Sequence, residues 1–154
     1  MTRIAAEFVD AYVIRPAGDG WEVLQLHRAP SVWLGGTWQA VHGHIEAGET
    51  AAAAALREVA EETHLAVGEL FQVEHVNTFY VADHDAVQMC PGFACLVAAA
   101  AEPTLNAEHD AARWLALPAG IDRFLWPGQR EALRQICRDI LTASPIRDIL
   151  RIKN

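Results

Sequence analysis

The stretch from Thr50 to Thr63 constrains the fold more than any other part of the chain. It holds five consecutive alanines and neither glycine nor proline, a composition that favours a helix over Ala51–Thr63 with Thr50 as its N-cap. In that helix Glu58, Glu61 and Glu62 fall at i, i+3 and i+4 and share one face. Ala54 lies one turn before Glu58 on the same face and leaves room beside the carboxylates, while Ala52, Ala55 and Val59 turn toward a core. Like charges at this spacing repel by roughly 0.2–0.5 kcal/mol per exposed pair, and by more when half-buried. Such a face is either fully solvated or built to collect hard cations through carboxylate oxygens.

Around the helix the chain alternates strands and turns. Residues 8–15 and 21–27 are apolar-rich runs separated by Ala17-Gly18-Asp19-Gly20, a hairpin signature in which glycine supplies positive φ. Residues 30–36 read as a loop. Residues 37–45 alternate like one strand, with Trp38, Ala40, His42 and His44 on one face, before a turn around Gly48. Residues 70–81 and 87–100 are expected strands joined near Asp83-His84-Asp85, and residues 112–115 a shorter one. Pro127 opens a second helix whose stripe of Leu133, Ile136, Cys137, Ile140 and Leu141 faces a core, and Ser144-Pro145 stops it. No repeat or linker interrupts the 154 residues, which suffice for one α/β domain around a mixed sheet: residues 1–145, with an amphipathic tail over 146–154.

Charge and cysteine usage narrow the function. The chain has 20 acidic and 12 basic residues, a net charge of −8 and a single lysine, Lys153. A nucleic-acid binder needs a basic stripe to follow the backbone, and this chain shows none. The longest apolar run, residues 93–101, is far short of the roughly 20 residues of a membrane span, so no membrane partner is expected. Residues 1–10 include Glu7 and Asp10 and carry no signal-peptide pattern. Cys90, Cys95 and Cys137 form no C-x-x-C pair and read as reduced thiols, so the expected setting is cytoplasmic. His75, His84 and His109 lack zinc-ligand spacing.

In its wider context the glutamate helix acquires a pattern: Gly43, five residues, Glu49, seven residues, Arg57-Glu58-Val59, one residue, Glu61-Glu62, and Leu65 two past Thr63. This resembles the Nudix box, G-x5-E-x7-R-E-U-x-E-E-x-G-U with U a bulky apolar residue. Every defined position matches except the second glycine, which is His64. From average residue frequencies a chance match of this quality is on the order of one in a million. Histidine is among the residues tolerated at positive φ, so His64 is expected to adopt the left-handed conformation after the helix at a cost of about 1 kcal/mol.

The similarity extends over residues 8–137. Leu26-His27-Arg28, Trp38-Gln39-Ala40-Val41-His42-Gly43, Glu108-His109 and Arg113-Trp114-Leu115 resemble the branch with dihydroneopterin triphosphate pyrophosphatases and dATP pyrophosphohydrolases, as, more loosely, does Trp126-Pro127-Gly128-Gln129-Arg130. The resemblance implies an α/β/α sandwich and hydrolysis of a small-molecule phosphoanhydride, a nucleoside or pterin triphosphate giving monophosphate and pyrophosphate. It implies Mg²⁺, with Mn²⁺ as a substitute, held by Glu58, Glu62 and Glu108, with Glu61 as ligand or base. Glu61 or Glu108 would orient or deprotonate water, and Glu49 and Arg57 would clamp the loop to the helix. Arg28 is either a phosphate contact or a strand-end charge, and His42 and His44 flank Gly43 within reach of phosphate. Trp33, Trp38, Tyr80 and Trp126 are candidates to stack on a base or pterin, Trp38 first among them. A dinucleoside polyphosphate is the alternative substrate, and a non-catalytic binding module or a structural acidic domain the alternative class. Ile146, Ile149, Leu150 and Ile152 either pack on the parent domain or support a homodimer.

Overall fold

The computed structural model describes residues 1–153. It opens on a short strand that the sequence reading did not anticipate, β1 (Arg3–Ala5), followed by the expected hairpin of β2 (Phe8–Ala17) and β3 (Gly20–Arg28). Gly18 turns the hairpin at a φ of +56°. Only the turn end is paired, Ile14 to Ala17 against Val23 to Gly20, and beyond it the two strands part. The next segment bridges the gap. Residues 37–45 are not one strand but break at Ala40 into β4 (Trp38–Gln39), which pairs with β3, and β5 (Val41–His44), which pairs with β2. Side-chain alternation survives the break, because Ala40 packs into one core cluster and Val41 into the other.

Helix α1 (Ala51–Thr63) has the expected bounds. The Thr50 hydroxyl accepts the Ala53 N–H at 3.1 Å, and His64 ends the helix at φ 58°, ψ 19°, its N–H donating to the Ala60 carbonyl. The buried face is Ala54, Ala55, Val59, Glu62 and Thr63. Ala54 is therefore core, and the room expected there is filled.

A long hairpin follows, β6 (Glu69–Val81) and β7 (Ala86–Leu96), joined by a short 3-10 turn at Ala82–His84. β7 stops at Leu96 instead of residue 100, where the chain turns and the Ala101 N–H meets the Ala98 carbonyl. β8 (His109–Leu117) is longer than expected because it pairs with the whole of β3 from Trp21 to Arg28. α2 (Pro127–Asp139) starts at its proline and ends before the expected stop. The tail folds back on the parent domain: α3 (Arg147–Leu150) buries Leu150, and β9 (Arg151–Ile152) pairs with Leu70 and Phe71 of β6.

The strands form a mixed sheet in the order β4-β3-β2-β7-β6-β9, with β1 on β7, β5 on β2 and β8 on β3. β1 and β2 run parallel to β7; the remaining pairs are antiparallel. One core cluster joins Tyr12, Phe71 and Phe124 to Leu133 and Ile136 of α2 and to Ile140 just after it. The other joins Val9, Leu24, Leu26 and Phe93 to Ala54, Ala55 and Val59 of α1. The result is a single-domain α/β/α sandwich. Cys90 and Cys95 are buried and unpaired. Among the described residues no helix is long and apolar enough to cross a membrane.

Candidate active site

The loop before α1 is tied to the helix by Arg57. Its Nε and Nη2 donate to the two carboxylate oxygens of Glu49, each at 2.9 Å, and Nη2 also reaches the His44 carbonyl at 2.8 Å. Nη1 donates to Glu58 at 2.8 Å and to Glu61 at 3.3 Å. These charge-assisted contacts raise the Arg57 pKa and lower that of Glu49. The expected partners are thus in contact, and Arg57 also orients the helix carboxylates. Gly43 supplies the second constraint. A Cβ there would run into the carboxyl of Glu58, so only glycine lets β5 approach the helix this closely.

The three helix glutamates occupy different environments. The Glu61 side chain is 55% exposed, that of Glu58 12% and that of Glu62 2%. Burial, followed by repulsion from Glu58 and Glu108, pushes the Glu62 carboxyl up to about 9, and its Oε2 is buried without a hydrogen-bond partner. Burial also raises Glu58, against the opposing pull of Arg57. Facing the helix, the loop before β8 carries Glu108, whose carbonyl accepts the Ala29 N–H at 2.9 Å. Oxygens of Glu62 and Glu108 and a nitrogen of His109 all lie within 4.8 Å of one another. His109 was not singled out from the sequence as part of this cluster. Burial and the nearby Arg28 charge push its pKa down to about 4, so it stays neutral, with Nε2 3.9 Å from Glu62. Its one sequence signal was adjacency to Glu108. Arg28 lowers the Glu62 pKa as well, which places its charge beside this cluster, and its Nε is anchored on the Trp33 carbonyl at 2.7 Å.

The remaining residues singled out from the sequence lie elsewhere. Gly43 faces α1, so His42 and His44 project from the opposite face of β5. There both pack on Phe8, and His42 Nδ1 is 2.8 Å from the buried Asp10 carboxylate. Trp38 is on that same face, under the Arg113 guanidinium, and so not beside the carboxylates as expected of a residue entering the box. Trp33 and Tyr80 are exposed, and Trp126 precedes α2 at its N-cap.

Carboxylates collected on a helix, one of them buried with an orphaned oxygen, define a class of site whose donor set fits a hard divalent cation. The NUDIX domain profile matches residues 7–136. An octanoyltransferase of Myxococcus xanthus is 36% identical over 129 residues, covering 82% of this chain; the chain spans about a third (35%) of that relative's length. The fold is similar to an Ap4A hydrolase of C. elegans (TM-score 0.71, 20% identity, 87% of this chain and 96% of that one). It is also similar to the dihydroneopterin triphosphate pyrophosphohydrolase of E. coli (TM-score 0.61, 28% identity, 82% and 92%). The chain belongs to the Nudix hydrolase family.

Proposed function

We propose that the protein is a Mg²⁺-dependent pyrophosphohydrolase that cleaves a nucleoside triphosphate or dihydroneopterin triphosphate to monophosphate and pyrophosphate. The observation that carries this reading is Glu62, a carboxylate 2% exposed with an unpartnered oxygen beside Glu108 and His109. A buried carboxylate in a cluster of like charges lacks a stabilising partner, and a divalent cation is the partner its chemistry suits. Glu58, Glu62 and Glu108 would hold the metal, which when bound neutralises polyphosphate charge. Arg28 meets a phosphate oxygen with its free guanidinium nitrogens, and Glu61 or Glu108 accepts the proton of the attacking water. Arg57 keeps Glu49, Glu58 and Glu61 in register. The substrate class draws support from the pterin-triphosphate enzyme of E. coli, the more similar in sequence of the two structures compared. The C. elegans Ap4A hydrolase, with the higher TM-score, supports a dinucleoside polyphosphate as the second reading.

Products are separated by anion-exchange chromatography, so that pyrophosphate, phosphate and nucleotide products are all counted, across dNTPs, NTPs, dihydroneopterin triphosphate and diadenosine polyphosphates, with Mg²⁺ and with EDTA. The expected result is pyrophosphate from one triphosphate, abolished by EDTA and reduced at least about a hundredfold in Glu62→Gln. Turnover that survives both treatments would overturn the metal assignment, and turnover of diadenosine polyphosphates alone would select the second substrate.

A further inference from the structure

Among the described residues, every arginine has a carboxylate within 4.0 Å except Arg28, Arg113, Arg123 and Arg130. In a chain with 20 acids, an arginine left alone is notable. The last three line a single pocket of about 480 Å³, together with Trp38 and Phe124. The pocket lies on the sheet face opposite α1. Arg113 alternates along β8 with Ala112 and Trp114, which pack in the α1 cluster, whereas Phe124 belongs to the α2 cluster. It is therefore on the other side of the sheet from the carboxylates.

The interior is a cationic platform. The Arg113 guanidinium lies 4.0 Å above the Trp38 ring, and its Nε donates to Gln25 Oε1 at 2.8 Å. No protein acceptor among the described residues takes its terminal N–H groups. Burial, and then the neighbouring charge of Arg123, lower the Arg113 pKa, and neither guanidinium has a carboxylate within 4.0 Å among the described residues. Asp122, the one carboxylate lining the pocket, stands 3.8 Å from Arg134. Arg130 firms the rim by donating to the Phe124 and Leu125 carbonyls at 2.7 and 2.9 Å.

We propose that this pocket is a second ligand site, for an organic anion with a flat ring: chemically, a nucleoside monophosphate. The ring lies on the outer face of the Arg113 guanidinium, which itself covers Trp38, and the phosphate reaches Arg123, whose guanidinium fork matches its oxygens. The groups meeting the phosphate are themselves cations, so binding requires no metal. That separates this site from the carboxylate centre, and it stands whether or not the chain hydrolyses any tested substrate.

The test is calorimetric titration of the full chain with AMP at low salt in EDTA, which leaves the carboxylate centre without a cation. Binding is expected, weakened by added NaCl and by at least about tenfold in Arg123→Gln. It is expected unchanged in Glu62→Gln. The Arg123 side chain is exposed and makes no hydrogen bond within the fold, so the substitution leaves folding intact. Arg113→Gln gives an independent loss from the Trp38 side of the pocket. Absence of binding in EDTA, equal binding by the Arg123 variant, or loss in Glu62→Gln would overturn the site. Equal affinity for inorganic phosphate would overturn the ring class.

Discussion

At Gly43 the strand of the box comes so near α1 that a methyl group would take the place of the Glu58 carboxyl. Gly43→Ala is expected to push that carboxylate aside and lower turnover by about a hundredfold, the usual scale for a displacement of about 1 Å at a reacting centre. The displaced carboxylate also loses its 2.8 Å contact with Arg57, so thermal denaturation should show a lowered melting point. Glu62 carries a different signature. Its folded-state value of about 9 stands above the ordinary 4.5, so the folded protein holds a proton that the unfolded chain has released. Metal-free stability therefore falls as pH rises through this window. Between about pH 7 and 9, above the range in which His109 titrates, the melting temperature in EDTA should decline with pH, and Glu62→Gln should flatten that decline. A wild-type curve as flat as that of the variant would contradict the burial assigned to Glu62.

Helix α1 was legible from local chemistry alone, because each of its signals acts over a few residues. Thr50 caps it, alanines fill it and His64 closes it in the left-handed region. Its clamp is testable as a unit. Arg57→Lys retains the charge but loses the two-pronged contact with Glu49 and the simultaneous reach to Glu58 and His44. Turnover should fall about tenfold or more with a lowered melting temperature, and lysine should recover little of what alanine loses. Strands were less legible. The break at Ala40 leaves side-chain alternation intact, so no periodicity could reveal it, and it depends on β2 and β3 parting far away in sequence. Alternation also groups Trp38, His42 and His44 correctly without saying which face α1 will cover. That choice is tertiary, and it placed all three away from the carboxylates. β1 and β9, three and two residues long, are too short to carry a pattern of their own.

At the scale of the molecule, the tail is part of the domain that precedes it. Leu150 is 3% exposed within the α2-side cluster, Ile152 packs in the other, and β9 covers the edge of β6 at Leu70 and Phe71. Leu150→Ala should cost about 2–4 kcal/mol in urea unfolding while leaving turnover per folded molecule unchanged, a result that separates a fastening role from a catalytic one. The sandwich also joins its two faces through one short ribbon of chain. Trp38 at one end of it forms the wall of the arginine pocket, and Gly43 at the other end sets the position of the Glu58 carboxyl. The wall of the arginine pocket and the seat of the Glu58 carboxyl are thus two ends of the same few residues, so a substitution that shifts this ribbon is expected to be felt on both faces.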